Sequence, residues 1–154
     1  HPERCLSDLI NNYPERAARG EWLGAWPLDR TLRHFLEICS KQNEKIILVG
    51  QNFFFDWSFI TVGFAKCGIS EPEWNKSIHY SKLDIRSMAV QALLKQDEKY
   101  NPEEFSLRNG SLSDRLGIPP EPTPHTAING AMQAYLVYKR LCELKASEGV
   151  SNGI

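Results

Sequence analysis

The chain has no Cys-x-x-Cys pair, no long apolar run and no excess of charge of either sign. Each absence removes a class of function. Cys5, Cys39, Cys67 and Cys142 stand singly, with no His at ligand spacing, so a zinc ribbon or a redox dithiol is excluded and packed, reduced thiols of an intracellular protein are expected. The 18 basic residues balance 19 acidic ones, so any polyanion contact has to be a local patch rather than an average field. No stretch approaches the roughly 20 apolar residues of a membrane span, and no basic-then-apolar leader opens the chain. The expectation is a soluble cytoplasmic protein with no membrane partner. The sequence also lacks an internal repeat and an initiator Met, opening at His1-Pro2. A beginning partway through a longer protein is expected from that opening.

What is present reads as one domain over residues 1–154, of a length that buries about 68–70% of the unfolded surface. Residues 1–27 mix turn residues with Trp22 and Trp26 and form a poorly patterned lead-in, with short helices at Cys5–Asn11 and Pro14–Trp22. The two Trp are expected in the core, with a base-stacking platform as the alternative. Asp29 or Thr31 caps a helix that carries Leu32, Phe35, Leu36 and Cys39 on one face and ends near Lys41. Ile46–Val49, rich in β-branched residues and closed by Gly50, reads as a buried strand. Helical spacing resumes from Asp56, through Phe59, Ile60, Gly63, Phe64 and Cys67, to a left-handed stop at Gly68. A loop at residues 71–77, a second strand at Tyr80–Ile85 and a helix at Ser87–Leu94 follow.

Residues 95–104 are polar and read as a mobile excursion. Ser111–Ile118 forms a short helix. Pro119, Pro120, Pro122 and Pro124 exclude helix and deliver His125 to the start of the longest one, Thr126–Lys145. Its core stripe is expected to be Ile128, Ala131, Tyr135, Tyr138, Leu141 and Cys142, with a frayed tail over residues 146–154.

Helix, tight loop and buried strand in this order indicate an α/β fold. In such sheets the carboxyl ends of strands open into a crevice where ligands collect. Asp56 lies at that junction, and read from the residues alone it is either a helix cap or a site carboxylate. His125, at the second junction, is either a surface residue or a general base, since imidazole titrates near neutrality.

The wording of both junctions resembles a known family. Gly50-Gln51-Asn52-Phe53-Phe54-Phe55-Asp56-Trp57-Ser58-Phe59-Ile60 is similar to the second motif of the DEDDh 3′–5′ exonucleases, and Pro124-His125-Thr126-Ala127-Ile128-Asn129-Gly130-Ala131 to their third. Between them, Lys82–Ala89 resembles the Leu-Asp-Thr element and Ser111–Ile118 the element preceding the third motif. The resemblance runs over about positions 28–145, in the family's order.

It implies a ribonuclease H-like exonuclease fold, a mixed sheet flanked by helices whose N-terminal strands are missing from this chain. It further implies metal-dependent hydrolysis of DNA or RNA single strands from the 3′ end. Four carboxylates in the family hold two ions, Mg²⁺ or Mn²⁺, about 3.5–4 Å apart. By position Asp56 is the second-motif carboxylate and metal ligand, His125 the general base, and Asn52, Phe53 and Phe59 the border of the terminal nucleotide. Two departures stand beside this: Gly130 occupies the place of the last carboxylate, and no Asp-x-Glu occurs in residues 1–49. They give an alternative, a catalytically degenerate relative that binds nucleic acid or protein. With two strands only, open sheet edges also favour a homodimer.

Overall fold

The computed structural model describes residues 13–20, 23–107, 110–123 and 125–151. The chain runs through α1 (Tyr13–Ala18), α2 (Leu28–Ser40), β1 (Ile46–Gly50), α3 (Phe53–Lys66), α4 (Glu71–Trp74), β2 (Ile78–Asp84), α5 (Ile85–Leu93), a 3-10 turn (Pro102–Phe105), α6 (Ser111–Leu116) and α7 (Ala127–Ser151). β1 and β2 pair in parallel, with Leu48 opposite Lys82, Val49 opposite Leu83 and Gly50 opposite Asp84. The sheet is therefore parallel and two-stranded among the described residues, where a mixed sheet was expected. A parallel pair needs a crossover, and α3 with α4 supplies it.

Strand alternation divides the interior in two. Ile46 and Leu48 pack with Leu32, Cys39, Phe64, Ile69 and Ile78. Val49 packs the other way, with Ile85, Ala89, Phe105, Leu112, Leu116, Val137 and Leu141. Phe64 and Phe105 are each fully buried, one in each cluster, and stabilise by about 1.5–3 kcal/mol apiece. Helices thus cover both faces of a very small sheet.

The register shifts between Ile46 and Leu48, so β2 bulges opposite them. Lys82 Nζ donates to the bulge carbonyls of His79 and Tyr80 at 2.6 and 3.0 Å and sits 4.1 Å over the Trp57 ring. Burial holds the Lys82 ammonium below the ordinary lysine range. α3 ends as its sequence predicts. Gly68, at φ 67°, takes the left-handed stop, and Ile69 N–H returns to Phe64 O at 2.9 Å.

Several expectations are corrected. Trp26 is not core: it is 46% exposed, with the Arg30 guanidinium 3.9 Å over its ring, while Trp22 and residues 5–11 lie outside the described residues. The expected loop at 71–77 contains α4, whose Pro72 suits a first turn. The polar excursion is fastened rather than loose. Arg115 pairs with Glu98 and, at 2.7 Å, with Glu104, and lies 4.7 Å over the buried Phe105 ring.

The largest correction concerns α7. Of the expected stripe, Leu141 is buried and Tyr138 packs against the core, whereas Ile128 and Tyr135 are 72 and 56% exposed, and Gln133 and Val137 make up the rest of the buried face. A polar residue defeats the apolar count here: buried Gln133 donates to Ser113 Oγ at 2.6 Å and to Pro119 O at 2.8 Å. The helix also continues to Ser151, past the expected end at Lys145, since one Gly costs only about 1 kcal/mol in an otherwise helical run. Among the described residues no helix is long and apolar enough to cross a membrane.

Candidate functional site

β1 and β2 run parallel and end side by side at Gly50 and Asp84, each strand passing almost directly into a helix. Gly50 permits this tight exit because a Cβ there would stand 2.8 Å from Phe53 Cδ2. Asn52 then takes a left-handed conformation, at φ 52°, and α3 starts at Phe53, one turn earlier than the spacing from Asp56 indicated. Asn tolerates that region better than other residues with a Cβ.

Asp56 is consequently not the cap of α3. It lies in the first turn of the helix, exposed, and makes no hydrogen bond or ion pair among the described residues. A carboxylate there is favoured by the helix dipole and remains open to a ligand. The capping carboxylate is Asp84. Its Oδ1 accepts from Ser87 N at 2.9 Å and Ser87 Oγ at 3.2 Å, and its Oδ2 accepts from Asn52 N at 2.5 Å. One side chain thereby holds the starts of both helices at the carboxyl end of the sheet. The signal was present as Asp84-x-x-Ser87, the spacing of a cap to the third helical N–H.

Gln51 is the second residue that sequence reasoning left without a role. Its Oε1 accepts from Leu107 N at 2.8 Å, and its Nε2 donates more loosely to Phe105 O at 3.5 Å. The loop after the 3-10 turn is fixed to the strand end by this amide. Nothing local marks it, since the partners are more than 50 positions away.

The two aromatics of the predicted nucleotide border diverge. Phe53 is 9% exposed and stacks on Trp57 with centroids 6.3 Å apart, so its ring offers no free face to a base. Phe59 is 66% exposed and meets Phe55 edge to face at 5.0 Å. Together with Phe54, at 71% exposure, these rings make α3 aromatic on its solvent side.

His125 stands just before α7, where Thr126 Oγ1 accepts from Asn129 N at 3.2 Å in the manner of a cap. Its ring meets Glu121: Nδ1 and Oε1 are 2.7 Å apart. His125 is 63% exposed and Glu121 only 15%. Gly130 adjoins the pair, and a Cβ there would stand 3.3 Å from His125 Cε1 and 3.8 Å from Glu121 Oε1. The structure therefore brings a carboxylate to His125, though it is Glu121 rather than Asp56.

Among the described residues, no three His, Cys, Asp or Glu side chains come together in a way that could hold a metal ion. The donors present do not fit the two-ion site that the resemblance implies, because hard divalent cations need several oxygen ligands each. Comparison with protein-family models, curated proteins and solved structures finds no match to this chain.

Proposed function

We propose that the chain is a 3′–5′ exonuclease-like domain of ribonuclease H-like fold, acting on single-stranded DNA or RNA ends. The observation that carries this reading is Asp56, exposed and without a partner among the described residues, in the first helical turn after the carboxyl end of β1. An exposed carboxylate in that first turn is favoured by the helix dipole and is also compatible with ligand chemistry at the strand ends. His125, with Nδ1 engaged, keeps Nε2 for a proton from water. Phe59 and Asn52 are both exposed, which a border for a terminal nucleotide requires.

The reading calls for Mg²⁺ or Mn²⁺, and for oxygen ligands additional to Asp56. Hydrolysis of short single strands by the intact protein, lost in chelator and restored by either ion, is the expected result. No turnover under any of these conditions overturns the enzyme reading.

The second reading is a binding module that kept the architecture and lost the reaction. Gly130, at the place of the family's last carboxylate, and the absence of a metal cluster among the described residues favour it. Retention of single strands unaffected by chelator and without turnover distinguishes it from the first. Self-association belongs with either reading, because both outer edges of the sheet lack strand partners among the described residues. Sedimentation over a range of concentrations tests it.

A further inference from the structure

The pair at residues 121 and 125 is built in an unexpected way. The more buried partner is the carboxylate, on a segment with no helical periodicity, and the more exposed partner is the imidazole. The segment is tied to α7 at two points. Gln133 Nε2 donates to Pro119 O at 2.8 Å, and Asn129 Nδ2 donates to Pro122 O at 3.4 Å. Pro119, Pro120 and Pro122 restrict φ between these ties, so Glu121 is held by its own backbone before it meets any partner.

An ionised carboxylate can only accept, so Nδ1 of His125 must be the donor across the 2.7 Å contact. A neutral ring that carries its proton on Nδ1 has its lone pair on Nε2. Free imidazole side chains favour the opposite arrangement, and a fixed acceptor at Nδ1 is the usual means of reversing it.

Gly130 completes the arrangement. A side chain at 130 would enter the space beside the ring, 3.3 Å from Cε1, and an Asp there would also bring a second negative charge towards Glu121. The glycine leaves room for the pair, whereas a Cβ there would require the exposed His125 ring to give by a few tenths of an ångström.

We infer that Glu121 is the positioning residue of His125, fixing the ring in its Nδ1–H form so that Nε2 is the free base, and that Gly130 is the seat of this pair. The inference deepens the hydrolase reading and rests on it only for the use made of Nε2. The ring state itself is independent of any activity.

Two measurements on the intact protein separate these parts. Nitrogen-15 NMR of the histidine rings, at mildly alkaline pH where imidazole is ordinarily neutral, is expected to show His125 as Nδ1–H. Glu121→Ala should return it to the Nε2–H form, with the remaining resonances of the folded chain in place. A wild-type ring already in the Nε2–H form, or one that ignores Glu121→Ala, overturns the inference, and the wild-type ring decides even where the variant fails to fold.

In the hydrolysis assay Glu121→Ala should lower kcat by about 10–100-fold with KM within about twofold, the pattern for loss of a group that orients a reacting one. An unchanged kcat overturns the positioning role. A wild-type chain without hydrolysis removes the exonuclease reading, and the ring measurement still decides whether Glu121 sets the tautomer.

Discussion

The backbone N–H of Asn52 donates to Asp84 Oδ2 at 2.5 Å, so the start of α3 is fastened to the end of β2 across 32 positions of sequence. Since Asp84 also caps α5 through Ser87 N, one carboxylate sets where both helices leave the sheet. Asp84→Ala removes both acceptors. A lost cap costs about 1 kcal/mol and a hydrogen bond to a charged acceptor about 1.5–3, so a loss of about 2.5–4 kcal/mol is expected for this half-buried residue. Urea denaturation measures it, and an unchanged midpoint would mean that the two helix starts are held by something else.

Asp56→Ala gives the contrast. Its carboxylate is exposed and has no partner among the described residues, so stability should change by no more than about 0.5 kcal/mol. A cost near that of a lost cap, about 0.5–2 kcal/mol, would return Asp56 to a structural role.

Gln51→Ala leaves Leu107 N–H without its acceptor, at a cost of about 1–3 kcal/mol for a partly buried donor. Native-state hydrogen exchange should report faster exchange at Leu107 while Phe64, in the other cluster, keeps its protection.

The shifted face of α7 is open to a paired test. Val137→Ala, fully buried and outside the expected stripe, should cost about 1–3 kcal/mol, and Tyr135→Ala, at 56% exposure, less than about 1. The opposite order would restore the face counted from apolar residues alone.

That shift shows what was legible and what was not. β1 was readable within a residue because Ile46, Ile47 and Val49 are β-branched and Gly50 ends the run. The Gly68 stop was readable because a positive φ selects for glycine. The start of α3 was missed because it depends on Asn52 accepting a left-handed conformation, which the latch to Asp84 supports and no local pattern displays. The face of α7 was read correctly at Tyr138 and Leu141 but missed at its N-terminal half, because a buried Gln counts against burial in any apolar tally, and the partners of Gln133, Ser113 and Pro119, are 20 and 14 positions away. The candidate site divides in the same way. Asp56 and His125 were visible as residue types at junctions, whereas Glu121 was invisible because its segment has no period from which to predict a contact.

Acid should weaken the fastening of the polar excursion. The Arg115 side chain hydrogen-bonded to Glu98 holds that carboxyl below its ordinary value near 4.5. A carboxyl whose pKa is lowered on folding binds fewer protons in the folded state, so its contribution is present above the unfolded value and is lost as pH falls through the folded one. The acid limb of stability, below about pH 4.5, should flatten in Glu98→Gln and move with added salt, because both side chains are partly exposed. A limb identical in wild type and variant would remove this pair from the account.

The measurement closest to the central claim is digestion of a short single strand labelled at its 5′ end, with wild type, Asp56→Asn and His125→Ala compared in Mg²⁺ and in Mn²⁺. The account predicts a ladder shortening from the 3′ end with wild type, reduced at least a hundredfold, on the order of the loss of a general base, in either variant. An intact strand with wild type, or a ladder that survives both substitutions, would contradict it.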